Sequence, residues 1–197
     1  AMPYTPIANP RWMIPNWSFG IRPEVIQANV DAAREAGAAV VVLLSHNGFD
    51  VDQKLATVVK GIDVILTGHT HDAVPEAIKI ENTLLLSSGS HGKYLGRVDL
   101  EVKGGRVTDY NSTLIPVFAD VIASDAEMAA KIDEVRAPYE AECNRVIGKT
   151  EGLLYRRGNF NGTWDDLICQ GIMEERDAEL AFSPGFRWGA RVRRAAW

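Results

Sequence analysis

Two apolar runs constrain this chain more than anything else in it. Val40-Val41-Val42-Leu43-Leu44 and Ile62-Asp63-Val64-Ile65-Leu66-Thr67 are nearly continuous Val/Ile/Leu segments. The first ends in Ser45-His46-Asn47-Gly48 and the second in Gly68-His69-Thr70-His71-Asp72. Apolar runs without polar alternation describe strands buried on both faces, as in parallel sheets covered by helices. A helical period precedes each run. Pro23 opens a helix at its first position, where the missing N–H is tolerated, with Val25, Ile26, Val30 and Ala33 on one face and Gly37 as the stop. Residues 52–60 form a second helix, with Leu55, Val58 and Val59 inward and Gly61 at its end. The order helix–strand–helix–strand predicts an α/β layer with its ligand site at the carboxyl ends of the strands. Both histidine motifs fall at that edge.

On an extended backbone side chains i and i+2 share a face, so His-x-His offers two imidazoles whose Cα atoms lie roughly 6–7 Å apart. That spread suits one metal ion, or two ions about 3.5–4 Å apart. Three of the four histidines stand in these two motifs. His46, His69 and His71 are therefore candidate ligands for zinc, manganese or iron. Gly68 removes a side chain where an ion would approach. Three imidazoles could complete a single zinc site; a two-metal centre would need a bridging carboxylate, and no obvious one precedes His46. Asp50 and Asp52 read as turn or cap residues and Asp63 as a strand position, not as ligands. His91, in the loop Ser88-Gly89-Ser90-His91-Gly92-Lys93, is a candidate catalytic residue that can support the ligands or touch substrate from the same edge.

Other chemistries find no support. There is no Gly-x-Ser-x-Gly elbow and no Walker or dinucleotide glycine pattern. Cys143 and Cys169 form no CxxC pair, and Cys169 lies in an apolar helical pattern that predicts a buried thiol. A net charge of −5 gives no basic footprint for nucleic acid. No segment approaches the roughly 20 apolar residues of a membrane-spanning helix.

Residues 1–22, punctuated by Pro3, Pro6, Pro10 and Pro15, read as an irregular segment anchored to the body by Trp12 and Trp17. Ala77–Ile80 and Leu84–Ser87 read as short strands, and Leu95–Val102 with Arg106–Val117 as a hairpin around Lys103-Gly104-Gly105. Ser124 and Glu127 form a capping box for a helix that Pro138 should interrupt. Residues 121–145 would thus be a linker helix between a domain at 1–120 and a second domain beginning at 146–197. In that second part, Thr163 and Asp166 cap a helix running to about Arg176, and Leu180–Phe182 is a short strand. The loop at 183–189 presents Arg187 between aromatics and glycines, an arrangement suited to an anion.

Ser45-His46-Asn47-Gly48 and Gly68-His69-Thr70-His71 resemble the last two metal motifs of the calcineurin-like metallophosphoesterases, in the 5′-nucleotidase branch. Ser88–Gly96 is similar to the same branch. Pro3–Trp12, Ser45–Leu55, Gly158–Cys169 and Phe182–Gly189 further resemble the SoxB thiosulfohydrolases of that branch. The resemblance implies the later half of a layered metallophosphoesterase sheet domain, a linker helix, and the start of a 5′-nucleotidase C-terminal-like domain. It implies two divalent ions, manganese in that family, with His46 and His69 on one and His71 on the other. Arg187 and Asn159 would bind substrate. The implied reaction releases sulfate from a cysteine S-thiosulfonate on the periplasmic sulfur carrier protein SoxYZ, and the alternative is a 5′-nucleotidase-like phosphoester hydrolase. The family's earlier motifs, Asp-x-His, the bridging Asp and Gly-Asn-His, have no counterpart in this sequence. The resemblance therefore implies a fragment of a longer protein, inactive by itself, whose residues 190–197 do not match the family's continuation.

Overall fold

The computed structural model describes Thr5, residues 9–156 and 162–183, and the backbone of 191–192. It divides into two compact units, Ala1–Ala123 and Ser124–Trp197.

The first unit is built on a four-stranded sheet of β1 (Val42–Leu44), β2 (Val64–Thr67), β3 (Ile78–Ile80) and β4 (Thr83–Ser87), in the order β1-β2-β4-β3. β1, β2 and β4 run parallel, and β3 turns back antiparallel onto β4. Two helices, α1 (Pro23–Glu35) and α2 (Phe49–Val58), connect into the first two strands, giving the α/β layer that the apolar runs predict. Strand alternation sends alternate side chains to opposite faces. On the helix face, Ile65 and Leu85 join Val30, Leu55, Ala56, Val59 and Ile62 in the main core. On the other face, Val64, Leu84 and Leu86 meet Val98, Leu100 and Tyr110 of the hairpin formed by β5 (Tyr94–Lys103) and β6 (Arg106–Pro116). The hairpin turns at Gly104 and Gly105, both with positive φ, where the sequence places it.

The hairpin's cover stops short of β1. Along the register row Leu86–Leu66–Leu44, exposure rises from 9% through 39% to 77%.

Several boundaries differ from the sequence reading for local reasons. β1 is only three residues long, and the N–H of Val41 just before it is taken by the Asp63 carboxylate at 2.7 Å. Helix α2 starts at Phe49 rather than 52, which places Asp52 inside its first turns and not in a cap. Trp12 and Trp17 do not anchor the N-terminal segment: they are 77% and 66% exposed, Trp12 within a 3-10 turn at Arg11–Met13 and Trp17 beyond it.

In the second unit, α3 (Ala126–Arg136) is capped by Asp125, whose carboxylate accepts from Met128 N–H at 2.8 Å; the cap thus sits one residue after Ser124, as a single bond and not as the Ser124–Glu127 box. The α-helix ends at Arg136, and Pro138 sits in the 3-10 turn that follows. Helix α4 (Thr163–Arg176) is capped by Asp165, which accepts from Gly162 N–H. Thr163 instead bonds Leu153 O and Tyr155 N–H, so the Thr163–Asp166 cap is not formed. Leu180–Phe182 is not a strand. The short pair in this unit is β7 (Leu154–Tyr155) with β8 (Arg191–Val192). Cys169 is half-buried rather than enclosed, and Cys143 is exposed. Among the described residues no helix is long and apolar enough to cross a membrane.

Candidate metal centre

β1 and β2 deliver the histidines to one edge, but not as the strand alternation argument has it. β2 ends at Thr67, so His69 and His71 stand in the loop beyond it. Both take left-handed backbone conformations, with φ of 86° and 61°. Left-handed backbone in non-glycine residues costs about 1 kcal/mol or more each and persists only where surrounding contacts fix it. His91 is a third such residue, with φ of 60°.

Those contacts are visible. Thr70, between the two histidines, accepts from the Phe49 N–H at 3.1 Å and donates to the Asp72 carboxylate, which ties the loop to the start of α2. Gly48 makes the approach possible: its φ is 102°, and a Cβ there would lie 3.0 Å from the Thr70 methyl. Ser87 at the end of β4 donates to Asp72 O at 2.6 Å. Asp52, fully buried, accepts from Ser45 Oγ at 2.8 Å, Asn47 Nδ2 at 3.2 Å and Thr67 Oγ1 at 2.5 Å.

The result is two pairs of imidazoles. His46 and His69 meet edge to face with ring centres 5.2 Å apart, and His71 meets His91 in the same way at 5.5 Å. Gly68 lets the His46 ring pack close to the backbone, since a Cβ there would lie 3.1 Å from His46 Nδ1. Burial, and then the neighbouring His46 and His71, push the His69 pKa below the usual imidazole value. Its neutral, metal-binding form therefore persists to lower pH than an ordinary histidine's. The first pair, with its imidazole nitrogen donors and the close approach that Gly68 permits, fits part of the coordination of a divalent ion. Among the described residues, however, no three His, Cys, Asp or Glu side chains converge on one ion position. The three-imidazole zinc site that the sequence left open is therefore not formed.

The other candidates divide. Asp63 accepts from Arg34 Nη2 at 2.5 Å and from Val41 N–H, at the opposite end of β2 from the histidines. Asn159 and Arg187 lie outside the described residues. Sequence reasoning missed the role of Asp52. Its i−7, i−5 and i+15 partners leave no periodic signal, although a carboxylate on the inward side of an apolar helix is itself unusual.

No protein-family model matches the chain. The trifunctional nucleotide phosphoesterase protein YfkN of Bacillus subtilis is 30% identical over 137 residues, 66% of this chain and 9% of its own length. The 5′-nucleotidase of Rattus norvegicus is 25% identical over 174 residues, covering 75% of this chain and 30% of its own. Among solved structures, a 5′-nucleotidase precursor from Thermus thermophilus shares the fold with a TM-score of 0.71 at 21% identity, over 81% of this chain and 36% of that one. The chain belongs to the 5′-nucleotidase branch of the metallophosphoesterases. Within that branch it is similar to the sulfate thiohydrolase SoxB of Thermus thermophilus, with a TM-score of 0.88 and 33% identity over 100% of this chain and 37% of that one. The chain thus spans well under half the length of the relatives it matches.

Proposed function

We propose that this chain is part of a SoxB-type hydrolase that releases sulfate from a cysteine S-thiosulfonate on a SoxYZ-like sulfur carrier protein in the periplasm. The observation that carries the reading is the meeting of His46 with His69 and of His71 with His91 at the carboxyl edge of the sheet. Similarity to SoxB over the whole chain favours this substrate class over a nucleotide. A 5′-nucleotidase-like phosphoester hydrolase is the second reading, supported by the sequence relatives.

In this reading His46 and His69 hold one divalent ion and His71 contributes to a second, manganese in both cases. Residues of the parent protein beyond this chain complete the coordination. When bound, the ions supply Lewis-acid charge that offsets the negative charge gathering on the substrate's oxygens. The protein's own groups do the rest. His69 offers a neutral nitrogen because its protonated form is disfavoured where it stands. His91, beside His71, faces the reacting group as a catalytic residue. Arg187 and Asn159 bind the substrate's anionic end. In the hydrolysis, water oxygen bonds to the terminal sulfur as the bond between that sulfur and the middle sulfur breaks, and the middle sulfur takes one of water's protons. Sulfate leaves, and the carrier keeps a persulfide.

The intact parent protein should release sulfate from a carrier bearing the cysteine S-thiosulfonate and leave AMP untouched, read by ion chromatography and a phosphate assay. AMP hydrolysis without sulfate release would overturn the choice of substrate and favour the nucleotidase.

A further inference from the structure

Asp52 is the buried ionisable group that the proposed reaction does not use. It is completely enclosed, on the inward side of α2, and its recorded partners all donate: Ser45 Oγ, Asn47 Nδ2 and Thr67 Oγ1, at 2.8, 3.2 and 2.5 Å. Those partners are not a random selection. Ser45 and Asn47 are the two neighbours of His46 in the chain. Thr67 is the last residue of β2, two before His69. Ser45 is held twice, since its hydroxyl also accepts from Asn47 N–H at 3.3 Å. One carboxylate therefore grips both sides of the first histidine loop with one oxygen and the start of the second loop with the other.

A buried carboxylate satisfied only by neutral donors is an expensive way to join two strand ends. An apolar side chain at position 52 would fill the space without that desolvation cost. What the carboxylate adds is direction. Hydrogen bonds to a charged acceptor are short and angularly restrictive, so they fix the loops where packing alone would let them slide. Both loops need fixing, because His69 and His71 hold left-handed backbone that an unrestrained loop would relax.

We infer that Asp52 is a positioning residue that sets the spacing and orientation of His46 against His69 by clamping Ser45 and Asn47 on one loop and Thr67 on the other. This rests on the proposed metal site for its catalytic consequence, but not for its geometry. Groups that orient metal ligands from behind typically change metal affinity or activity by about 10–100-fold when removed.

The test uses the intact protein. Asp52→Asn keeps the shape and replaces one acceptor oxygen with a donor, and Thr67→Val releases only the second loop. Imidazole ring resonances are read by NMR in the metal-free protein, alongside manganese affinity and kcat. In Asp52→Asn, the ring signals of both His46 and His69 should move, with manganese affinity and kcat falling 10–100-fold. In Thr67→Val, the His69 signals should move most, with only a smaller ring-current shift at His46, whose ring stands 5.2 Å away. Leu85→Ala, a truncation in the main core at a residue that makes none of the clamp's hydrogen bonds, should lower the melting temperature yet leave ring signals and manganese affinity unchanged. Unmoved His46 and His69 signals in folded Asp52→Asn would overturn the inference. So would unmoved His69 signals in Thr67→Val, which decides the matter should Asp52→Asn fail to fold. Failure of the metal reading looks different: the ring signals move in Asp52→Asn while manganese affinity does not change.

Discussion

The two ends of the β1–β2 pair are each tied together by an aspartate, and the two ties differ in one respect. At the amino end, Asp63 takes the Val41 N–H and is neutralised by Arg34, a partly buried ion pair whose guanidinium also bonds the carbonyls of Ala38, Ala39 and Gly61. At the carboxyl end, Asp52 is more deeply buried, and its recorded bonds come only from neutral side chains. In the first arrangement the attraction between opposite charges offsets part of the desolvation penalty, in a pair that keeps some contact with water. The second places a carboxylate whose recorded partners are all neutral against the residues that flank His46 and precede His69. Bound cations would offset that charge, which is the sense in which the two ends teach structure and function separately.

The sharpest way to break the comparison is Asp63→Ala. It orphans the Val41 N–H and leaves Arg34 with carbonyl acceptors but no charged partner, and should cost about 2 kcal/mol of stability, from the desolvation of groups left poorly paired. Manganese affinity should be unaltered, as measured by denaturant unfolding and metal titration. A metal defect in Asp63→Ala would show that the two ends are not separable.

A smaller effect is expected at Gly48. Gly48→Ala places a Cβ 3.0 Å from the Thr70 methyl at a φ of 102°, so it should cost about 1 kcal/mol or more and shift the Thr70–Phe49 contact. Here stability and metal affinity should fall together, because the same contact holds the loop that carries His69 and His71. Thermal unfolding together with a manganese titration checks both.

The sequence made the layer legible because its evidence is local. The apolar runs at 40–44 and 62–67, the Pro23 helix start and the Gly104-Gly105 turn each act through their own neighbours. It also brought His46, His69, His71 and His91 to one edge. The reason it offered for His69 and His71, a shared face on a strand, was wrong. Their conformation is imposed by Thr70 reaching Phe49 and Asp72, and partners 21 residues away carry no periodicity. Asp52 was hidden for the same reason. Near a helix start an aspartate reads as a cap, and only the folded chain shows it reaching Ser45 and Thr67. The exposed tryptophans and the bare face of β1 likewise follow from what does or does not cover them, which composition does not encode.

The central claim is that His46 and His69 hold a divalent ion that the reaction needs. Metal content per chain, measured on the intact protein and on His69→Ala, tests it most directly. The account predicts two ions in the first and at most one in the second, with a loss of turnover larger than the roughly 100-fold that supporting residues reach. A folded His69→Ala protein that keeps both ions and full turnover would contradict it.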